Sequence, residues 1–143
     1  MNLHVIWSYW LYTWGGLHRY FGNQNSIIRE YERAIYYFKR SYEVNPQFTY
    51  ARLQRAIILG RELRRFEESL AEFDVYLQTE PEDGRALLNK GLVLQDYGRF
   101  PQALDYIQQY LNLPERDEHY EEAQRIAGYL QEIIDETAAN DTT

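Results

Sequence analysis

The side chains able to do chemistry in this chain are few and scattered. There are three histidines, His4, His18 and His119. His4 and His18 lie roughly four helical turns apart, and a metal site needs three or four converging ligands. No cysteine is present, which removes disulfides, thiolate metal sites and cysteine nucleophiles and suits a cytoplasmic setting. The acidic pairs Glu67-Glu68 and Glu121-Glu122 are consecutive, so on a helix they point to different faces and form no carboxylate dyad. Arg61, Arg64 and Arg65 make a small basic cluster that suits a phosphate, but the acidic second half of the chain argues against nucleic acid. Gly-rich phosphate loops and nucleophile elbows are absent. These residues imply no catalytic residue, no cofactor, no metal and no nucleic-acid partner. The protein is expected not to be an enzyme.

What the chain does contain is a repeat. Tyr31, Phe66 and Phe100 recur at intervals of 34 to 35 residues. Phe38, Phe73 and Ile107 follow each of them seven residues later. Ala34, Ser69 and Ala103 share a small slot, and Pro46, Pro81 and Pro114 close each unit. Ala51 and Ala56 match Ala86 and Gly91, and Ala123 and Gly128 repeat that five-residue step. Each slot has a physical role. A small residue lets two helices approach, and an aromatic wedges into the hairpin turn. The residue seven further on lies two turns along the same face, and proline stops the helix.

On these residues the chain resembles the tetratricopeptide repeat family, whose unit of about 34 residues is a pair of antiparallel helices. Residues 86–114 follow the pattern through Leu87, Gly91, Leu94, Gly98, Phe100, Ala103 and Ile107. Residues 51–81 follow it with one extra residue before Phe66 and with Arg64-Arg65 where the turn has glycine. Residues 26–46 supply a second helix whose preceding first helix does not match. The resemblance implies an all-α fold, a right-handed superhelical stack of about three helix-turn-helix units with a C-terminal capping helix. It also implies a protein-binding scaffold or adaptor.

Composition agrees with a packed domain: 45% of residues are apolar and 16% aromatic, with 14 tyrosines. The net charge of −7 is uneven. Residues 1–65 hold 10 Lys/Arg against 4 Asp/Glu, and residues 66–143 hold 5 against 18. In a repeat stack the basic half can face an acidic partner or an anionic membrane, or simply solvate outer helix faces.

The expected order runs as follows. Residues 1–25 form an aromatic N-terminal segment, 26–136 the repeat domain and 137–143 a disordered tail. Leu3, Ile6, Trp7, Trp10, Leu11 and Trp14 keep helical spacing, and Gly15-Gly16 should weaken or kink that helix. Residues 22–25 read as a turn, with Asn25 or Ser26 capping the next helix. Further helices are expected over 26–44, 49–63, 66–79, 85–97, 100–113 and 118–136. Three placements fit the tryptophans. They are buried as a cap on the helix of residues 26–44, they lie at a membrane interface, or they belong to a marginal spanning helix. No secretory signal is evident.

The family's first helices line a concave face that holds the ligand. By position this implies a groove of Tyr50, Leu53, Gln54 and Ile57, then Arg85, Leu88, Asn89, Leu92 and Gln95, with Arg125, Ile126 and Tyr129 from the last helix. Asn89 fills a slot that can hold a peptide backbone or terminal carboxylate. Leu53 and Leu88 stand where the rest of a carboxylate clamp would need polar groups. The alternative for Leu53, Ile57, Leu88 and Leu92 is a place in the core. Trp7, Trp10 and Trp14 offer a second contact. The expected partner is another protein, bound as an extended segment or helix with hydrophobic anchors. The oligomeric state is open, monomer included. In size and layout the chain is also similar to small tetratricopeptide assembly factors of photosynthetic membranes. That gives an alternative placement, peripheral to a membrane.

Overall fold

In the computed structural model residues 2–141 are described. Among them there are seven helices and no strand: α1 (Leu3–Asn25), α2 (Ile28–Val44), α3 (Tyr50–Arg61), α4 (Phe66–Thr79), α5 (Gly84–Asp96), α6 (Phe100–Leu111) and α7 (Tyr120–Asn140). The chain divides into two compact units, one through Thr79 and one from Glu80.

Unit 1 is built from two helical hairpins, with α1 packed on α2, α2 on α3 and α3 on α4. Its core joins Tyr31, Ala34, Ile35, Phe38 and Tyr42 of α2 to Ala51, Ile58 and Leu59 of α3, with Tyr12, Phe48 and Leu63 against the cluster. The small slots do what their spacing requires. Ser69 is fully buried, and its Oγ donates to the Ala56 carbonyl at 2.7 Å, so α3 and α4 meet almost backbone to side chain. Ser41 Oγ donates to the Ser8 carbonyl at 2.7 Å and ties α2 to α1 in the same manner. The turn into α4 places Arg64 at φ 53, the left-handed position that Gly98 fills at φ 81 in unit 2. Only glycine takes that conformation without steric cost.

Unit 2 packs α5 on α6 and α6 on α7. A Cβ at Gly91 would sit 2.6 Å from Ile107 and 3.3 Å from the Ala103 carbonyl, so the α5–α6 crossing depends on the missing side chain. Pro101 lies in the first turn of α6, where an absent amide is harmless. Asp83 caps α5 by accepting from the Arg85 amide.

Several expectations fail, for local reasons. α1 runs unbroken through Gly15-Gly16. Gly15 is there because a Cβ would lie 2.8 Å from the Phe38 ring, so it marks a close crossing and not a kink. Gly22 likewise abuts Tyr31, and the expected turn at 22–25 is helix; the chain reverses at Ser26, φ 51. α2 is capped at Ile27 without a side-chain hydrogen bond, so neither Asn25 nor Ser26 is its cap. Gly128 of α7 is exposed with open space around it, so the five-residue step ends at buried Ala123. α7 extends through 137–140 into the expected disordered tail, helped by two alanines and a Thr137 Oγ1 bond to the Ile133 carbonyl at 2.8 Å. The last two residues of that tail, Thr142 and Thr143, lie outside the described residues.

Candidate functional site

α1 presents two different faces. Ser8, Leu11, Gly15 and Gly22 are its buried residues, and they form the seam against α2. The tryptophans lie on an adjoining side of the helix, beside that seam. Trp7, Trp10 and Trp14 are 48%, 47% and 37% exposed. α1 does pack on α2, but the tryptophans are not buried by doing so, because the small residues let the helices meet first. The indoles instead stack on one another: Trp7 and Trp10 lie 4.9 Å apart and nearly parallel, and Trp10 and Trp14 lie 5.5 Å apart. The ladder continues through Trp14 to Tyr37 and to His18, which stacks flat on Tyr37 at 5.4 Å. His18 Nδ1 is 2.6 Å from Glu30 Oε2, and this contact, foremost, holds the Glu30 carboxyl below the usual range. Among the described residues no helix is long and apolar enough to cross a membrane, so the spanning placement of residues 1–21 is excluded.

On α3 the expected groove residues separate. Leu53 is fully buried and Gln54 nearly so, its Oε1 accepting from Arg19 of α1. Leu53 is therefore core and offers no anchor, and the Gln54 side chain is engaged within the unit. Tyr50 and Ile57 are half-buried, with the Tyr50 ring 5.9 Å from Tyr12.

On α5, by contrast, the expected residues share one side. Leu88, Leu92 and Gln95 recur at i, i+4 and i+7 with Asn89 beside them, and all four are half-buried. The opposite side, Ala86, Leu87, Lys90, Val93 and Leu94, is in the core. Arg85 is exposed, but its guanidinium is gripped by Asp83 through Nη2–Oδ2 at 2.8 Å, so its charge is partly spent. Asn89 donates an amide hydrogen to the Arg85 carbonyl at 2.8 Å. On α7, Arg125 is exposed and paired with Glu122, Tyr129 is 57% exposed, and Ile126 is half-buried.

Sequence reading missed a set of cations at helix positions that the repeat pattern reserves for packing. Arg52 Nη1 and Arg55 Nη1 clamp the two oxygens of Glu72 at 3.0 and 2.9 Å. The Tyr42 hydroxyl donates to Glu72 Oε2 at 3.1 Å, and the Arg52 guanidinium lies 4.2 Å from the Tyr42 ring centre. Burial, and then the Glu72 charge, push the Tyr42 phenol up to about 12. Arg55 Nε is buried with no hydrogen-bond partner. In unit 2, Lys90 is buried directly before Gly91 and its Nζ lies 2.6 Å from the Tyr106 hydroxyl. The available signal was the three cations Arg52, Arg55 and Lys90 on otherwise apolar faces. These groups lock helices to each other, and none is arranged around a reacting centre.

The helical hairpins have solved counterparts. The chain is similar to the TPR domain of Arabidopsis OM64, at 16% identity and TM-score 0.74 over 90% of this chain and 98% of that domain. The fold is the tetratricopeptide repeat fold. MamA from Desulfovibrio magneticus RS-1 carries the same fold, at 20% identity and TM-score 0.72 over 91% of this chain and 68% of that one. So does the TPR2B domain of yeast Sti1, solved as a complex with pHsp70, at 15% identity and TM-score 0.67 over 84% of this chain and 98% of that domain. No protein-family model and no curated protein sequence matches the chain.

Proposed function

We propose that the protein is a non-enzymatic interaction scaffold that holds a protein segment along the outward stripe of α5. The observation that carries this reading is the stripe itself. Leu88 and Leu92 supply two apolar anchors one turn apart, Asn89 and Gln95 flank them with amides, and the far side of the helix is fixed in the core. A rigid helix with partly exposed leucines between polar groups suits an apolar-anchored segment, extended or helical. The Asp83 pairing of Arg85 and the Asn89 bond to its own helix count against a carboxylate clamp. The fold supports the reading in general terms, since one structure of the same fold is a complex with pHsp70. Arg125 and Tyr129 of the same unit remain candidate outer contacts. Leu53 is withdrawn, because it has no surface to offer. The narrower role of an assembly factor has no residue of its own to rest on.

The test has two steps. Affinity capture from the source organism, with the intact chain and Leu88→Glu as baits, identifies the segment. Titration calorimetry then measures it. Leu88→Glu should weaken binding at least about tenfold, as expected for removing a central anchor, while Trp10→Glu leaves it unchanged. A partner that binds the Leu88→Glu chain as tightly as the intact one overturns the reading.

A further inference from the structure

α1 carries a largely exposed helix-packing seam alongside its contact with α2, touched at Trp14 by the Tyr37 ring. Leu3, Trp7, Trp10, Trp14, Leu17 and Phe21 are spaced by four, three, four, three and four residues. All six are exposed, Leu3 at 80% and Phe21 at 43%. This alternation is the 3.5-residue period with which one helix meets another at a shallow angle. The order of spacings reads the same from either end. A copy of the helix laid antiparallel therefore sets Leu3 against Phe21, Trp7 against Leu17 and Trp10 against Trp14, each large ring facing a different partner and no residue facing itself. Self-complementarity of this kind is what a two-fold interface demands.

We propose that the occupant of this face is a second copy of the chain, joined through antiparallel α1 helices about a two-fold axis. Charge agrees. Residues 3–18 contain no Asp, Glu, Lys or Arg, and Arg19 is turned to Gln54. Two such helices meet without like-charge contact. Area agrees as well. Taking roughly 200 Å² for a large side chain, the six seam residues expose on the order of 600 Å² per copy. Ile6 and Tyr20, 45% and 56% exposed, flank the seam and bring each copy close to the ~800 Å² per partner of a stable complex. A lipid surface is the weaker fit. Residues 3–18 carry no Lys or Arg to meet an anionic headgroup, and Arg33, which lies by His18, is already paired with Glu30 at 2.8 Å.

Sedimentation equilibrium of the intact chain across the micromolar range should show the 17.2 kDa monomer passing to a dimer. Added salt should leave the association intact or strengthen it, because the contact is apolar. Trp10→Glu should weaken it about thirty-fold or more, the loss of one central aromatic anchor, with unchanged helical circular dichroism. Register is read in chains given one cysteine each. Trp7→Cys mixed with Leu17→Cys should cross-link faster than either alone, since like positions lie about 15 Å apart along the axis. A monomer at every concentration overturns the proposal, as does self-cross-linking that matches the mixed pair. So does a chain that stays monomeric yet binds phosphatidylglycerol vesicles through Trp10 in a salt-sensitive manner, which would assign the seam to lipid.

Discussion

Two adjacent glycines show how finely the helix crossings are set. Gly15 faces the buried Phe38 ring, while Gly16 has nothing within 4 Å of its would-be Cβ. Alanine is the better helix former by about 1 kcal/mol. Gly16→Ala should therefore stabilise the protein by about 0.5–1 kcal/mol. Gly15→Ala should destabilise it by about 1–3 kcal/mol, because a ring 1% exposed has no room to withdraw. Urea titrations of the two variants check the opposite signs. Tyr42 gives a second expectation. Its phenol is raised from the ordinary 10.0 to about 12, first by burial and then by Glu72. The neutral form is the one the fold holds, so the stabilisation is full below pH 10. It is lost as pH rises through 12, on the order of 2 kcal/mol in all. Stability measured from pH 9 upward should fall more steeply for the intact protein than for Tyr42→Phe.

At the level of elements, unit 1 is held by more than its apolar seams. Glu72 of α4 receives Arg52 and Arg55 of α3 and the Tyr42 hydroxyl of α2, so one carboxylate joins three helices. Glu72→Ala leaves Arg52 without its carboxylate and Arg55 with only the longer Glu68 contact at 3.9 Å, and should cost about 3 kcal/mol. Glu72→Gln keeps the hydrogen bonds in part and should lose less. A thermal melt followed by circular dichroism separates the two, and an alanine variant within 0.5 kcal/mol of the intact protein would show that the network is neutral. The Glu72 network explains the two arginines of α3, and a separate contact, Lys90 Nζ to the Tyr106 hydroxyl at 2.6 Å, explains the lysine of α5. Each replaces a packing residue by a long stem whose head reaches a carboxylate or a tyrosine.

For the whole molecule, α1 is a structural part of unit 1 as well as a surface. It covers Phe38 and Tyr31 and accepts the Ser41 hydrogen bond. Deleting residues 1–21 should therefore uncover the unit 1 core, abolish its cooperative unfolding transition and promote aggregation. If the deleted chain melts as cooperatively as the intact one, α1 is an appendage. Surface substitutions such as Trp10→Glu are consequently the cleaner way to separate the two faces of this helix. Charge is divided as the sequence indicates, with residues 1–65 net basic and 66–143 net acidic. The α1 seam carries no charge of either sign.

The sequence by itself determined the repeat. Phe66, Phe73, Gly91, Phe100 and Ala103 stand at fixed offsets because the crossing of two helices admits only certain sizes at certain turns. α3 to α6 could be placed from those residues to within a few positions. Tertiary structure decided the first hairpin. From Gly91 to Phe100 is nine residues, but from Gly15 to Tyr31 is sixteen, so α1 and α2 carry two extra turns and escape the family's spacing. It also decided which side of an aromatic helix is inside. A stripe of tryptophans and a stripe of Ser8, Gly15 and Gly22 both keep helical period. The small stripe wins the interior because it lets α2 come closer and bury Phe38, an energy of approach that no count of apolar residues reveals. The same accounting moved Leu53 into the core and left Leu88 and Leu92 half-open on α5.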